Sequence, residues 1–188
     1  MKQGKIFVIT GCSGAGKTSV AEKIIQIEEL KLEKVITCTT RPIRNGEKNG
    51  KDYFFIAKKE FEENINSNKM FEWARVYDNY YGSRKSDVKK ILNSGKNVLF
   101  VVDVQGAKKI KEENECKVIF ISVENLKELE KRLIERATDS LDIIKRRIEE
   151  VKEELAFSKF FDITIINKNG ELDETINNVS KYIKSFES

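Results

Sequence analysis

A single stretch near the N-terminus restricts the folds that this chain can adopt. Residues 11–18 read GCSGAGKT, which fits the pattern GxxxxGK[ST]. The β-branched and aromatic residues 6–10 precede it as a short buried strand would, and Val20, Ile24 and Ile27 follow at helical spacing. A strand, a glycine loop and a helix in this order predict an α/β protein with a phosphate-binding loop. A chance glycine-rich turn is the alternative, but it would not account for the strand and the helix.

The loop contains groups that suit the phosphates of a nucleoside triphosphate. Its glycines allow backbone N–H groups to face phosphate oxygens, and the helix N-terminus adds a favourable dipole. Lys17 can reach the β- and γ-phosphates, and the Thr18 hydroxyl can bind Mg²⁺. The residues predicted to bind the triphosphate are Gly11, Ser13, Gly14, Ala15, Gly16, Lys17, Thr18 and Ser19.

The composition favours one globular domain. A chain of 188 residues suits a single domain with an inserted lobe. The formal net charge of +4, without a long basic run, does not indicate a nucleic-acid partner. No apolar run approaches the roughly 20 residues of a membrane span. The N-terminal residues run directly into the first strand and leave no room for a signal peptide, so we expect a cytoplasmic protein without a membrane partner.

The cysteines and the absence of histidine narrow the chemistry. Cys12, Cys38 and Cys116 are odd in number and lack metal-ligand spacing, so we interpret them as reduced thiols. A chain without histidine is not expected to hold zinc and cannot use a histidine general base. Cys12 is either an oxidation-sensitive residue or a tolerated residue of the loop, and the second interpretation is favoured.

Apolar segments alternate with helical patterns along the chain, which is typical of a parallel sheet covered on both faces. The strands predicted for this sheet are residues 6–10, 34–38, 98–102, 117–122 and 162–166. Apolar residues at helical spacing predict later helices around residues 126–133, 144–155 and 172–183.

Shorter elements between residues 37 and 90 predict a small inserted lobe, which leaves residues 1–36 and 91–188 for the core. The polar segment 39–51 contains the only proline and is predicted to be an exposed loop. The elements predicted within the lobe are strands at 52–56, 70–77 and 80–82 and helices at 58–66 and 84–93.

Two further clusters indicate metal and anion binding. Asp103 follows a buried strand and could share Mg²⁺ with Thr18, directly or through water; a strand-end turn residue is the alternative. Arg41 and Arg44 lie three residues apart in a glycine-flanked loop, and Tyr53 follows. Two guanidinium groups and a phenol can hold a phosphate dianion, although two arginines in a loop are more often only solvated.

These residues belong to a series of motifs along nearly the whole chain that resembles guanylate kinases. The series is Thr-Thr-Arg at 39–41 with Arg44, Glu47, Gly50, Tyr53 and Phe55, then FEWA at 71–74, NYYGS at 79–83, DVQG at 103–106, RATDS at 136–140 and Ile-Asn at 166–167. The resemblance implies the three-layer α/β fold of P-loop NTPases with a central parallel sheet. It also implies a small α+β GMP-binding lobe at about 37–90 and a helical lid at about 126–157.

The resemblance further implies which residues bind the acceptor, GMP. Arg41, Arg44, Tyr53 and Tyr81 would hold its phosphate. Glu72 would accept from guanine N1–H and the 2-amino group, donors that adenine lacks at those positions, so adenine would leave a buried carboxylate unpaired. The residues implied to bind GMP are Thr37, Arg41, Arg44, Tyr53, Glu72, Tyr81, Ser83 and Asp103. Thr37 and Ser83 would read O6, with threonine where the family more usually has serine.

The lid would supply arginines to the transferred phosphoryl group. Arg132 and Arg136 share one helix face at i, i+4 spacing, and Arg147 would project from the next helix. By resemblance these three residues, with Lys17, are catalytic and neutralise the developing charge. Pairing with surface glutamates such as Glu128 and Glu135 is the alternative. Asn167 matches a family asparagine near the adenine of ATP.

The implied reaction is Mg²⁺-dependent, in-line phosphorylation of GMP, and of dGMP, by ATP. The attacking phosphate is already largely ionised at neutral pH because its second pKa is about 6, so no general base is needed. One departure concerns Val101, where the family usually has a carboxylate near the metal or the acceptor. A phosphopeptide-binding scaffold and a kinase with another acceptor are the competing hypotheses. We expect a monomer or a homodimer.

Overall fold

The computed structural model describes residues 3–76, 78–135, 149 and 151–186. The chain divides into two compact units. One contains Glu33–Leu99 with the residues that precede the first strand, and the other contains Ile6–Leu32 and the chain from Phe100 onward.

The strands and helices alternate as the sequence predicts. The strands are β1 (Ile6–Gly11), β2 (Leu32–Lys34), β3 (Cys38–Thr39), β4 (Phe54–Phe55), β5 (Met70–Val76), β6 (Asn79–Arg84), β7 (Asn97–Val101), β8 (Lys117–Ser122) and β9 (Ile163–Ile166). The helices are α1 (Lys17–Ile24), α2 (Lys58–Asn66), α3 (Lys85–Asn93), α4 (Val104–Glu113), α5 (Leu126–Glu135), α6 (described over residues 151–157) and α7 (Leu172–Lys184).

A five-stranded sheet has the strand order β2-β7-β1-β8-β9. Strand β8 pairs in parallel with β1 and with β9. Its central strands are apolar on both faces, as in a parallel sheet covered by helices, and Phe7, Val8 and Ile9 are fully buried. Helices α1 and α4 pack against β1, and α7 packs against α1 and β9. The sheet therefore matches the predicted α/β fold.

A second, four-stranded sheet has the order β4-β3-β6-β5 and lies in the unit that contains Glu33–Leu99. Strand β3 pairs in parallel with β4 and antiparallel with β6, and β5 pairs antiparallel with β6. Gly82 is needed at the β5–β6 contact, because a Cβ there would lie 2.5 Å from the Glu72 carbonyl oxygen. Buried Cys38, Phe61 and Met70 form the core beneath this sheet.

The structure differs from the sequence predictions at several elements. The strand predicted at 34–38 is wrong: β2 ends at Lys34, and Cys38 begins a strand of the other sheet. Helix α4 was not predicted, although its buried residues Val104, Ala107 and Ile110 recur every three positions. Helix α1 ends at Ile24, so Ile27, which the spacing placed in the same helix, lies beyond it. The predicted bounds of α2 and β8 are those of the structure. Of the predicted lid, residues 136–148 and 150 lie outside the described residues.

Within the described part of the chain, no helix has both the length and the apolar character needed to cross a membrane.

Candidate functional site

The phosphate loop connects the end of β1 to the start of α1. Gly11, Gly14 and Gly16 have φ angles of 135°, 80° and 89°, in the left-handed region that glycine adopts readily. A Cβ on Gly11 would also lie 1.9 Å from the Ile121 carbonyl oxygen, so β8 excludes any side chain there. Two independent constraints, backbone angle and close packing, therefore account for the glycines of the pattern.

Lys17 lies against the loop that precedes it. Its ammonium donates to the carbonyl oxygens of Gly11 at 2.7 Å and Cys12 at 2.9 Å. These bonds hold a positive charge beside the loop in which phosphates are predicted to bind. The side chains of Thr18 and Ser19, in the first turn of α1, are exposed.

Cys12 is fully buried within this loop. Burial, and next the nearby Glu154 carboxylate, raise the pKa of the thiol to about 11. A thiol with such a pKa is almost entirely protonated at neutral pH and reacts slowly with oxidants. The structure thus favours the interpretation of Cys12 as a packed residue of the loop.

Asn167, directly after β9, contacts the backbone of the loop. Its Nδ2 donates to the Ala15 carbonyl oxygen at 2.8 Å, and its Oδ1 accepts from the Thr175 hydroxyl at 3.0 Å. A Cβ on Gly16 would lie 2.6 Å from Nδ2. Asn167 thus contacts the peptide backbone that would surround the phosphates, and its position near adenine, which the family resemblance implies, stays a prediction.

Glu154 is a second partner of the loop that the sequence analysis missed. The Ser13 backbone N–H donates to Glu154 Oε2 at 2.9 Å, from a residue of α6 that is 141 positions away. A carboxylate oxygen thus accepts from one of the N–H groups predicted to bind phosphate. No motif includes Glu154, and a glutamate in a highly charged helix gives no signal by itself.

Asp103 is the N-cap of α4. Its Oδ1 accepts from the Gly106 backbone N–H at 2.8 Å. Asp103 therefore has a structural role where the strand ends, which was the alternative to metal binding. Its side chain is exposed, and Oδ2 accepts no hydrogen bond from the described residues. Asp103 follows β7 and the loop with Thr18 follows β1, which are neighbours in the sheet.

Thr18 and Asp103 offer oxygen ligands of the kind that Mg²⁺ prefers. The described residues contain no group of three or more Asp, Glu, Cys or His side chains that could hold a metal ion alone. Magnesium in nucleotide kinases needs no such group, because it binds through one or two protein oxygens together with substrate phosphates and water. An exposed threonine hydroxyl and an aspartate with an available oxygen fit that requirement.

In the other unit, Arg41 is held by Glu47 in a two-pronged ion pair. Its guanidinium nitrogens donate to the two carboxylate oxygens at 3.0 and 2.7 Å. The Arg41 side chain is only 11% exposed, so the pair is more than a solvated surface contact. The hydrogen bond from Arg41 lowers the pKa of the Glu47 carboxyl. The same bond, together with a hydrogen bond to Tyr81, raises the pKa of the Arg41 guanidinium. Glu47 also accepts from the Arg44 backbone N–H at 2.8 Å.

Aromatic rings enclose this guanidinium. Arg41 lies 5.5 Å from the ring centre of Tyr53 and 5.6 Å from that of Phe55. Tyr53 and Tyr81 meet edge to face at 6.1 Å. Burial raises the pKa of Tyr53, so its hydroxyl remains a protonated donor at neutral pH. The structure therefore brings together Arg41, Tyr53 and Tyr81, while the Arg44 side chain is exposed at the edge of the same loop.

Glu72 and Ser83 form a buried polar pair across β5 and β6. They are direct cross-strand partners, and a register shift between Met70 and Glu72 precedes them. The Ser83 hydroxyl donates to Glu72 Oε1 at 2.9 Å, and both side chains are almost fully buried. Thr37, half-buried, lies just before β3 of the same sheet, and its carbonyl oxygen accepts from the Phe54 N–H at 2.9 Å. A buried carboxylate beside a hydroxyl suits a ligand that offers two N–H donors.

The predicted lid arginines are described least. Arg132 lies in α5, and nothing is described of its side chain. Arg136 and Arg147 lie outside the described residues.

The chain is similar to known guanylate kinases in sequence and in fold. The family model described as guanylate kinase matches residues 3–186. A guanylate kinase of Porphyromonas gingivalis is 37% identical over 185 residues, which cover 97% of each chain. A guanylate kinase of Fusobacterium nucleatum is 40% identical over 186 residues, covering 98% of each. The crystal structure of guanylate kinase from Anaplasma phagocytophilum superposes with a TM-score of 0.77 at 27% identity, covering 98% of this chain and 87% of that one.

Proposed function

The chain belongs to the guanylate kinase family and phosphorylates GMP to GDP at the expense of ATP, and we propose that two separate groups of its residues bind the two nucleotides. The phosphate loop, residues 11–19, binds ATP. The lobe at about 37–90 binds GMP, and the lid at about 126–157 closes over the reacting groups. The observation that carries this division is the pair of preformed anion-binding features, the glycine loop with Lys17 and the Arg41–Tyr53–Tyr81 group.

In this proposal the loop positions the phosphoryl donor. Backbone N–H groups from Ser13 to Ser19 bind the β- and γ-phosphates, and the Lys17 ammonium exchanges its loop carbonyls for phosphate oxygens. Thr18, and Asp103 directly or through water, would hold Mg²⁺, which when bound would supply positive charge to the phosphates. Lys17 then stabilises the charge that develops as the bond between the γ-phosphorus and the bridging oxygen breaks.

The acceptor group fixes GMP at both ends. Arg41 and Arg44 bind the phosphate with the hydroxyls of Tyr53 and Tyr81, and Glu47 keeps Arg41 in place. Glu72 accepts from guanine N1–H and the 2-amino group. Thr37 donates to O6, and Ser83 does so as well once its hydroxyl proton turns from Glu72 Oε1 toward the base. We propose dGMP as a second acceptor, as the family resemblance implies.

The GMP phosphate attacks without a general base. One of its oxygens is already unprotonated at neutral pH and forms the new bond to the γ-phosphorus while ADP leaves. Arg132, Arg136 and Arg147 of the lid neutralise the transferred group, and closure excludes water that would otherwise accept it. Catalysis then depends on alignment and charge, which suits a chain that lacks histidine.

We also propose a cytoplasmic enzyme that acts as a monomer or a homodimer, with no nucleic-acid or membrane partner. The mild net charge and the absence of a membrane-spanning helix among the described residues support this.

Replacing Lys17 tests the assignment of the donor site. Lys17→Ala removes the ammonium but no buried apolar surface, so the variant should stay folded and lose nearly all turnover. Lys23→Ala, in the same helix but outside the loop, is the matched control and should keep wild-type activity. Retained activity in folded Lys17→Ala would contradict the proposal.

A further inference from the structure

A chain of two hydrogen bonds connects helix α7 to the phosphate loop. The Thr175 hydroxyl donates to Asn167 Oδ1 at 3.0 Å, and Asn167 Nδ2 donates to the Ala15 carbonyl oxygen at 2.8 Å. All three residues are buried, with Thr175 1% and Asn167 7% exposed. The backbone N–H of Asn167 donates to the Ser122 carbonyl oxygen at 2.9 Å, so the asparagine is fixed at its main chain too.

The second bond determines the direction of a peptide group in the loop. The peptide between Ala15 and Gly16 is planar and trans, so its C=O and N–H point in opposite directions. Because Asn167 holds the carbonyl oxygen, the Gly16 N–H points away from Asn167. In a phosphate loop the N–H groups must face the phosphates, and this bond supports that orientation.

Gly16 is adapted to the same contact. Its φ of 89° is in the left-handed region, and a Cβ would lie 2.6 Å from Asn167 Nδ2. The asparagine therefore packs directly on the glycine, and rotation of the peptide is restricted on that side.

Thr175 stabilises the orientation of the Asn167 amide that the Ala15 carbonyl, which can only accept, requires. A hydroxyl that donates to Oδ1 leaves Nδ2, the only donor of the amide, for the Ala15 carbonyl. The reverse orientation would place two oxygen acceptors against each other. The other acceptors near the hydroxyl are the Ile166 and Glu171 carbonyls, at 3.5 and 3.4 Å, so Asn167 is its closest partner.

We propose that Thr175 is a positioning residue for ATP, which acts through Asn167 to hold the Ala15–Gly16 peptide with its N–H toward the phosphates. This inference rests on the proposed assignment of the loop to ATP. It gives Asn167 a phosphate-orienting role in place of, or beside, a contact with adenine.

The test compares Thr175→Val, which keeps the shape but removes the hydroxyl, with Thr175→Ser, which restores it. The KM for ATP and the inhibition constant of tripolyphosphate, which has no base, are measured at saturating GMP. One neutral buried hydrogen bond corresponds to roughly a threefold to tenfold effect. Thr175→Val should raise both constants by about that factor, and Thr175→Ser should restore them, while the KM for GMP stays unchanged.

Ser180→Ala provides the matched control on the same helix. The Ser180 hydroxyl donates to the Ile176 carbonyl oxygen within α7, so its removal should leave the ATP and tripolyphosphate constants unchanged.

Four outcomes would overturn the inference. Unchanged constants in Thr175→Val would do so, as would a lower melting temperature without any change in KM. A rise in the KM for ATP without a matching rise for tripolyphosphate would instead indicate a contact with the base. If tripolyphosphate fails to compete with ATP in the wild-type enzyme, the loop assignment itself is wrong and this inference falls with it.

Discussion

The Ser13 backbone N–H donates to the Glu154 carboxylate at 2.9 Å, within the loop assigned to ATP phosphates. A carboxylate oxygen resembles a phosphate oxygen in charge and in hydrogen bonding, so ATP bound in the proposed way would compete with Glu154 for this donor. The negative charge of Glu154 also opposes that of the triphosphate.

Glu154→Gln should therefore bind ATP more tightly. The amide removes the charge and weakens the bond that ATP must displace, so the KM for ATP should fall by about threefold to tenfold. Steady-state kinetics at saturating GMP measure this change, and Glu153→Gln, the exposed neighbour of equal charge, should behave as wild type. A rise in the KM for ATP would show that Glu154 helps the loop bind ATP.

Glu72→Gln should impair the use of GMP much more than the use of ATP. The glutamine amide can accept from only one of the two guanine donors, and its NH₂ group opposes the other. Loss of a charge-assisted hydrogen bond predicts a decrease of about 10- to 100-fold in kcat/KM for GMP. The KM for ATP should change by less than about twofold, and Glu63→Gln on the exposed face of α2 is the control. Equal losses for both nucleotides would remove Glu72 from the guanine site.

Asp162 should stabilise the fold in a pH-dependent way. Its partial burial acts to raise the pKa, but the hydrogen bonds from Lys111 at 2.6 Å and the Val118 N–H at 2.8 Å prevail, so the pKa lies below its usual value of 3.8. A lowered pKa means that the carboxylate contributes stability above about pH 4, and that this contribution is lost as the pH falls through the folded-state pKa.

Asp162→Asn should accordingly reduce the free energy of unfolding by about 0.5–1 kcal/mol at pH 7. The difference from wild type should shrink as the pH falls below 4. Urea unfolding between pH 7 and pH 3 measures both, with Glu115→Gln as an exposed control. A difference that grows toward low pH would contradict the argument.

Thr10 differs from Asp162, because the described chain provides no hydrogen-bond partner for its buried hydroxyl. Thr10→Val removes the unpaired group and keeps the shape, so the free energy of unfolding should rise by about 1–2 kcal/mol. Thr39→Val is the contrast, because the equally buried Thr39 hydroxyl donates to the Tyr80 carbonyl oxygen. Its removal should lower the free energy of unfolding. Destabilisation of Thr10→Val would show that its hydroxyl is used.

The phosphate loop could be predicted from sequence because its constraints are local. Positive φ angles and close backbone packing require glycine at fixed positions, and the flanking strand and helix have distinct periods. The prediction of one strand at 34–38 was wrong because this short run connects a strand of one sheet to a strand of the other. Local periodicity does not show where a chain leaves one sheet for another.

The partners of the loop could not be predicted, because they are distant in sequence. Asn167 is 152 positions from Ala15, and Glu154 is 141 positions from Ser13. Their side chains are informative only once α6, β9 and α7 are packed against the loop. Thr175 has no motif at all, and only the geometry of the Asn167 amide indicates its role.

The most direct test of the account is the acceptor specificity of the wild-type enzyme. ADP release from Mg·ATP is measured with GMP, dGMP, AMP, CMP and UMP offered separately. The account predicts turnover with GMP and dGMP, with kcat/KM about 100-fold or more above that for the other three, because only guanine satisfies the buried Glu72. Comparable turnover of AMP and GMP, or no turnover of any acceptor, would contradict it.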